Sequence, residues 1–211
     1  MKVFLFGATG PTGQIILENL LKDGHQVTAL ARNIQKITVK HSLLTIVQGD
    51  VYQHASYQEA MSGCDIVVSA LGTGKSRKPT TIYSEGGKNI LTAMRNKGVK
   101  KLITITSGGV QKDDPGIQKS FFYKYFGMRL FRHIYRDMTE WENILEQSMD
   151  IDWIIVRPTY LRNSGRTGNY RIRKGFSPEK GWKISRADLA DFITKQVTSD
   201  EYIHQKPTIA Y

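Results

Sequence analysis

The 211 residues carry a formal net charge of +11 and are 40% hydrophobic, which is enough apolar material for the core of a globular domain. No apolar run approaches about 18 residues, no signal-peptide pattern opens the chain, and Cys64 is the single cysteine. We therefore expect no transmembrane helix, no secretion and no intramolecular disulfide, and predict a cytoplasmic protein. The charge excess lies in residues 71–136, which hold 14 Lys/Arg against 3 Asp/Glu. This excess fits a nucleic acid, a polyanionic small molecule or a solvated basic face.

Short apolar runs alternate with amphipathic stretches along the chain. The predicted strands are 3–6, 27–31, 43–47, 66–70, 102–106 and 153–156, followed by a short seventh strand at 208–210. The predicted helices are 14–22, 81–96, 136–146 and 186–197, the last capped by Ser185. This alternation predicts one doubly wound α/β domain over residues 1–211, with a mainly parallel sheet in the order 3-2-1-4-5-6.

Two stretches, 108–136 and 162–183, lack a regular period and are predicted to be irregular. They follow the fifth and sixth strands. Because ligands of such folds bind at the carboxyl ends of the strands, we expect both stretches to line the substrate site.

The first predicted strand is followed by three glycines spaced three apart, in GATGPTG. Gly7 lets the chain turn sharply, Gly10 lets a pyrophosphate approach the backbone, and Gly13 lets the first helix pack closely on the strand. The turn follows a strand and opens a helix, so it predicts a dinucleotide site; a structural turn without a ligand is the alternative. Additional side-chain donors to the phosphates are Thr9, Thr12 and Gln14.

The second strand ends in LARN, where NAD-binding units often carry an acidic residue. Arg32 stands there instead, with Lys36 a turn later, and a cation can pair with a ribose 2′-phosphate. NADP is therefore preferred over NAD, with an ordinary surface arginine as the alternative. Asp50 and Val51 follow the third strand and are expected beside the adenine, unless Asp50 is only a turn residue.

Several motifs together resemble a known group. FGATGPTG, GHQVTALARN, QGDV, SALGTG, TSGG and RPT are similar to the atypical short-chain dehydrogenase/reductases of the NmrA-like, NAD(P)H-binding group, and most of all to the NADPH-dependent flavin and biliverdin IXβ reductases. The resemblance implies a single NADP-binding Rossmann domain with a shallow substrate site above the nicotinamide. It adds Leu71, Gly72 and Thr73 to the cofactor-binding residues.

The resemblance also suggests two catalytic candidates. Ser107 matches a serine near the nicotinamide, and Tyr160 stands where the flavin reductases have a histidine. The alternatives are that Ser107 only bonds the backbone at the strand end and that Tyr160 is only a wall of the pocket.

Short-chain dehydrogenases that act on alcohols use a Tyr-x-x-x-Lys pair on the helix after the fifth strand, and no such pair is found there. Tyr170/Lys174 and Tyr202/Lys206 have the spacing, but neither pair lies on the helix after strand five. We therefore predict hydride transfer to a planar acceptor such as a flavin, a quinone or a biliverdin. A non-catalytic NADP(H)-binding redox sensor acting through a protein partner is the second hypothesis, and a nucleic-acid binder is the third.

Residues 119–136, KSFFYKYFGMRLFRHIYR, combine seven aromatic residues with five Lys/Arg and no acid. As a substrate lid the segment would contribute Phe122 and Tyr125, joined by Arg162 from the second irregular stretch. The alternatives are a buried helix with outward-pointing cations, a membrane-surface helix, a strand of nucleic acid bound there, and a surface for a protein partner or a second copy of the chain. The histidines are scattered, so we predict no metal site.

Overall fold

A central sheet of parallel strands forms the middle layer of the protein, seen here in a computed structural model that describes residues 1–74, 76–115 and 128–211. Its first six strands are β1 (Lys2–Phe6), β2 (Gln26–Ala31), β3 (Leu44–Gln48), β4 (Ile66–Ser69), β5 (Lys101–Ile105) and β6 (Asp152–Pro158). They are parallel and lie in the order β3-β2-β1-β4-β5-β6, which confirms the predicted topology.

Helices cover both faces of the sheet. They are α1 (Pro11–Lys22), α2 (Ser84–Lys97), α3 (Arg132–Glu146) and α4 (Arg186–Gln196). Because side chains alternate along a strand, Val3 and Leu5 pack in the core under α1 and α4, whereas Phe4 and Phe6 pack in the core under α2 and α3. Burial on both faces is why the central strands are continuously apolar.

The four helices agree with the predicted ones, with shifted ends. Pro11 occupies the first turn of α1, where its missing N–H costs nothing. The predicted cap of α4 is confirmed, because Ser185 Oγ accepts a hydrogen bond of 2.9 Å from the Asp188 amide. Helix α3 begins at Arg132 rather than at 136, because its buried stripe already includes Ile134.

The stretch 162–183, predicted to be irregular, is mainly loop but also contains regular structure that was not predicted. This part of the chain holds β8 (Arg171–Lys174) and begins β9 (Lys183–Ser185), which pairs in parallel with β7 (Tyr160–Arg162) in a separate two-stranded sheet. The predicted seventh strand is β10 (Pro207–Ala210); it lies parallel to β6, and β8 adds to it as an antiparallel edge strand. All four residues of β8 are exposed. A strand with no buried face needs no alternation of apolar and polar residues, so the sequence carries no signal for it. The strand forms because β10 supplies a hydrogen-bonding partner.

Helices α2 and α3 approach closely at a glycine. A Cβ on Gly87 would lie 2.4 Å from the Trp141 ring, and the Trp141 indole donates a 3.2 Å hydrogen bond to Thr104 Oγ1 of β5. A Cβ on Gly86 would similarly lie 3.3 Å from both methyl groups of Val51. The pair of glycines therefore lets α2 pack against both α3 and the chain that follows β3.

Candidate functional site

The carboxyl ends of the parallel strands share one edge of the sheet. The register aligns Phe6 with both Leu30 and Ser69, and Ile105 with Val156. The segments that leave this edge carry the predicted site residues, namely Gly7, Arg32, Asp50, Leu71, Ser107 and Tyr160. Parallel strand ends therefore bring together residues that are far apart in the sequence.

The glycine turn after β1 leaves no room for side chains at two of its positions. Gly7 has φ +79°, and a Cβ there would lie 2.4 Å from the Ala70 carbonyl oxygen, whereas a Cβ on Gly13 would lie 2.0 Å from the Gly7 oxygen. A Cβ on Gly10 would meet only the Gly7 oxygen, at 3.3 Å. Gly7 and Gly13 are thus required by packing, and Gly10 leaves its space open on the outer side of the turn.

The start of α1 has backbone amides without a cap. Gly10 is the N-cap residue and has no side chain to accept them, while the Gln14 amide makes the first intrahelical bond, 2.9 Å to the Gly10 oxygen. The amides of Thr12 and Gly13 precede that bond and have no intrahelical carbonyl to reach. Together with the positive end of the helix dipole, they form an anion site that fits a pyrophosphate.

Arg32 leaves β2 beside a short helical turn that ends at Lys36, and both side chains are exposed. The Arg32 carbonyl accepts a 3.4 Å bond from Gln48 Nε2, which ties the turn to β3. Among the described residues, neither cation forms an ion pair with a carboxylate. Their charge is therefore available to an anionic group at this edge.

Asp50 is a turn residue in this structure. Its carboxylate accepts a 3.1 Å hydrogen bond from the Tyr52 amide, and its own amide donates to Ser56 Oγ at 3.2 Å. Val51 is buried, and its carbonyl accepts from the Tyr57 hydroxyl at 3.3 Å. The turn role of Asp50 thus has direct support, and the contact of Asp50 and Val51 with an adenine stays a prediction.

The loop after β4 packs against the glycine turn and against a buried tyrosine. The Leu71 amide lies 3.0 Å from a Cβ built on Gly7, and the Tyr83 hydroxyl lies 3.6 Å from one built on Gly72. Burial, with Asp137 close by, raises the pKa of Tyr83 well above its ordinary value, so the phenol stays protonated. Tyr83 was not predicted as a site residue, because its approach to Gly72 depends on how α2 packs.

Ser107 caps the turn that follows β5. Its hydroxyl oxygen accepts a 3.2 Å hydrogen bond from the Gly109 amide, which supports the alternative role weighed for it. The hydroxyl proton can still be donated. A Cβ on Gly108 would lie 3.6 Å from the Pro158 carbonyl, so this turn adjoins the end of β6.

Beneath Ser107 lies a buried charge network that the sequence did not reveal. Arg157 and Glu142 are 3% and 2% exposed and form a two-point ion pair, with one bond, Nε to Oε1, of 3.1 Å. Thr106 Oγ1 donates to the same carboxylate at 2.7 Å, and Arg157 also donates to Gln111 Oε1 and to the Gly175 carbonyl, each at 3.2 Å. This network holds the ends of β5 and β6 to α3.

Tyr160 and Arg162 stand in β7, beyond β6. Tyr160 is 65% exposed and stacks on Trp182, which is 62% exposed, with ring centroids 6.2 Å apart at 26°. Arg162, two residues further along the strand, is also exposed. Trp182 was not predicted as a site residue, because nothing in its local pattern distinguishes an exposed tryptophan from a buried one.

Several predicted residues are not part of this edge or lie outside the described chain. Phe122, Tyr125 and the first half of the basic aromatic segment 119–136 fall in 116–127, outside the described residues. Further along it, Phe131 and Tyr135 pack partly buried against the core under α2 and α3, and the Arg77 guanidinium lies 5.7 Å from the Phe131 ring centroid. The described end of the segment thus resembles the buried-helix alternative.

The two pairs with Tyr-x-x-x-Lys spacing have other roles. The Tyr170 hydroxyl donates to Asp191 at 2.9 Å, and Lys174 lies on β8 with its amine 5.9 Å from the Tyr202 ring. Tyr202 itself is buried, and Lys206 pairs with Glu142 at 3.3 Å. Neither pair lies on a helix that faces the carboxyl ends of the strands.

Other features of the described chain lie elsewhere. One depression, lined by residues that include Lys2, Gln26 and Cys64, is at the amino ends of the strands and contains none of the predicted site residues. Over 1–74, 76–115 and 128–211, no three His, Cys, Asp or Glu side chains are grouped for a metal ion. No helix in those ranges has both the length and the apolar character needed to cross a bilayer.

Comparisons with known proteins agree with this geometry. A family model described as NAD(P)H-binding matches residues 7–200. An uncharacterised chloroplastic protein of Arabidopsis thaliana is 28% identical over 211 residues, which cover 95% of this chain and 73% of that protein.

Two solved structures share the fold. A Streptococcus pneumoniae protein proposed to be an NADH-flavin reductase superposes with a TM-score of 0.81 at 20% identity, covering 100% of this chain and 99% of that one. A wide-type short-chain dehydrogenase/reductase of Veillonella parvula, in complex with NADP, gives 0.82 at 15% identity, covering 100% and 94%. The family match confirms the resemblance drawn from the sequence motifs, and the two solved structures show that the fold is shared.

Proposed function

Because the chain belongs to the NAD(P)H-binding family, we propose that it is an NADPH-dependent reductase that passes hydride to a planar acceptor such as a flavin, a quinone or a biliverdin. The observation that carries the proposal is the uncapped start of α1, whose free amides lie at the same sheet edge as Ser107 and Tyr160. A dinucleotide held by its pyrophosphate at that turn would lie along the edge where these two residues stand.

The preference for NADPH rests on Arg32 and Lys36. Both are exposed at the end of β2 without an ion-pair partner among the described residues, and no carboxylate of Asp or Glu stands at Arg32 to accept a ribose hydroxyl. A guanidinium can bind a 2′-phosphate through two parallel hydrogen bonds.

The choice of a planar acceptor rests on the proton donors that are available at the carboxyl ends of the parallel strands. No Tyr-x-x-x-Lys pair lies on α3, where Tyr135 is followed four residues later by Thr139. When bound, a reduced nicotinamide would supply the hydride, and an electron-poor ring would accept it without a strong general acid. The Ser107 oxygen accepts a hydrogen bond from the Gly109 amide, so its hydroxyl can hydrogen-bond the acceptor, and solvent supplies the one proton that completes the reduction.

A redox sensor is the second candidate. Two observations favour it: the Ser107 hydroxyl already caps a turn, and Tyr160 stands in place of the histidine expected from the resemblance. Such a protein would bind NADPH at the same turn and report its redox state to a protein partner.

The deciding experiment follows NADPH absorbance with the purified protein and FMN, riboflavin, a simple quinone or a biliverdin, with NADH as the cofactor comparison. Saturable oxidation that needs both NADPH and one of these acceptors supports the reductase. Tight NADPH binding without oxidation by any of them would refute it and favour the sensor.

A further inference from the structure

A surface patch of three exposed residues and one half-buried lysine stands beside the proposed reaction site. It comprises Tyr160, Arg162, Trp182 and Lys183, here called the Tyr–Trp patch. We propose that this patch binds the ring and the phosphate of a phosphorylated planar acceptor, of the flavin mononucleotide class. The proposal rests on the proposed function and adds to it the chemical class of the preferred acceptor.

The aromatic pair has the exposure expected of a stacking platform. The two buried tryptophans, Trp141 and Trp153, are 2% and 4% exposed, whereas Trp182 is 62% exposed and lies nearly parallel to the equally exposed Tyr160 ring. Aromatic faces left in water are unfavourable unless something covers them. A flat heteroaromatic ring fits that requirement, because stacking is insensitive to the details of the ring.

The backbone beneath the patch is held firmly, although the side chains of Tyr160, Arg162 and Trp182 are exposed. The Tyr160 amide donates to the Trp182 carbonyl at 3.0 Å, and the Tyr211 amide donates to the Lys183 carbonyl at 2.9 Å. Ile184 is fully buried in the core on the other face of β9. The platform is therefore preorganised, and binding costs little ordering of the chain.

The charge of the patch favours an anionic ligand over a neutral ring. Residues 160–183 contain seven Lys/Arg and one acid, Glu179. Lys183 Nζ lies 5.2 Å from the Trp182 ring centroid, and Arg162 shares the exposed face of β7 with Tyr160. Neither cation forms an ion pair with a described carboxylate. A phosphate attached to the stacked ring would find both of them.

The patch adjoins the carboxyl ends of the parallel strands, where the proposed reaction site lies. A Cβ on Gly108, next to Ser107, would lie 3.6 Å from the Pro158 carbonyl, and Tyr160 follows Pro158 by two residues. An acceptor on the patch would thus lie beside the turn that carries Ser107. Aromatic and cationic residues also bind single-stranded nucleic acid. Here, however, the two rings can stack with one base only, and they do not form a groove that would follow a nucleic-acid backbone.

The test measures flavin fluorescence in the visible range, since an indole quenches the emission of a flavin stacked on it. FMN and riboflavin are titrated with the NADP⁺-saturated protein. We expect FMN to bind about tenfold more tightly than riboflavin, because one charge-assisted contact is worth about that factor. Trp182→Ala should weaken both flavins at least about fivefold, with loss of quenching, whereas Trp182→Phe should retain most of the affinity.

The charge part is tested with Arg162→Gln and Lys183→Gln, which should weaken FMN and leave riboflavin unchanged. Lys22→Gln, at the exposed end of α1, removes the same charge away from the patch and should change neither affinity. Circular dichroism of each variant checks the fold. Unchanged FMN affinity in folded Trp182→Ala, or displacement of FMN by a short oligothymidylate that binds more tightly than FMN, would overturn the proposal.

Turnover with a neutral quinone separates this inference from the proposed function. If the quinone oxidises NADPH but the FMN affinity is unchanged in Trp182→Ala, the patch assignment fails and the reductase proposal stands. If FMN binding depends on Trp182 but no acceptor is reduced, the reductase fails and the patch stands.

Discussion

The three glycines of the first turn face different neighbours, although the sequence presents them as one motif. Side chains at Gly7 and Gly13 would collide with backbone atoms at 2.4 and 2.0 Å, whereas Gly10 has one neighbour at 3.3 Å. Gly10 also has φ −81° and ψ 159°, a conformation open to any residue. Stability and cofactor binding are therefore separable within a single turn.

We predict that Gly10→Val folds with a loss of about 1 kcal/mol from the poorer N-cap, but no longer binds NADPH, because its methyl groups fill the space in front of the helix amides. Gly13→Val should instead unfold or lose several kcal/mol, on the order expected for severe overpacking. Denaturant unfolding and NADPH fluorescence titration check both. Unchanged NADPH affinity in folded Gly10→Val would contradict the phosphate role of the turn.

Arg32 is the residue on which cofactor choice should depend. We expect Arg32→Glu to weaken NADPH by about tenfold or more while changing NADH much less, since it replaces a phosphate-pairing cation with an anion. Lys40→Glu, an exposed charge reversal before β3, is the matched control. Equal losses for NADPH and NADH in Arg32→Glu would exclude the 2′-phosphate assignment.

At the scale of elements, α4 is anchored through its first turn. Asp188 is fully buried, and its carboxylate accepts bonds from the Thr167 and Gly168 amides at 2.9 and 2.8 Å and from the hydroxyl of Tyr211. Burial opposes ionisation of Asp188, but these hydrogen bonds outweigh it and lower the pKa of the carboxyl below its ordinary value. The loop before β8 and the last residue are thereby fastened to α4.

This lowered pKa gives a pH prediction. The ionised Asp188 stabilises the fold fully above the unfolded-state pKa of about 3.9, and the contribution is lost as the pH falls through the lower folded-state pKa. Asp188→Asn should be less stable by about 1–3 kcal/mol at pH 7 and should show a shallower loss of stability below about pH 5. Denaturant unfolding from pH 7 to pH 3 measures both; an unchanged pH slope would contradict the assignment.

At the scale of the whole molecule, the buried pair of Glu142 and Arg157 joins the parallel sheet to its antiparallel extension. Glu142 lies on α3 and Arg157 on β6, while Arg157 reaches the Gly175 carbonyl just after β8. Lys206, just before β10, also approaches Glu142 at 3.3 Å. Elements that are remote in the sequence thus converge on one carboxylate beneath the carboxyl ends of β5 and β6.

Removing that carboxylate should cost far more than removing an exposed one. Glu142→Ala leaves the Arg157 charge buried and unpaired, and we expect a loss of about 3–5 kcal/mol. Glu140→Ala, on the same helix, breaks only an exposed 3.9 Å pair with Lys88 and should cost about 0–1 kcal/mol. Urea unfolding of the two variants gives the comparison, and equal losses would show that the buried pair has no special role.

The sequence by itself determined the six parallel strands, their order, the four helices and the edge at which a dinucleotide would lie. Those features depend on local patterns: continuous apolar runs, helical stripes and glycines where the backbone must turn or pack closely. Ser185 as the cap of α4 belongs to the same class, since a cap needs only its own first turn.

Only the tertiary structure decided the rest. The strands β7, β8 and β9 are short and polar, and they exist because distant segments supply their hydrogen-bonding partners. The stacking of Tyr160 on Trp182 and the pairing of Glu142 with Arg157 likewise join residues with no shared local pattern. Because such contacts depend on where the whole chain places each segment, their residues look ordinary in the sequence and become candidates for function only in the fold.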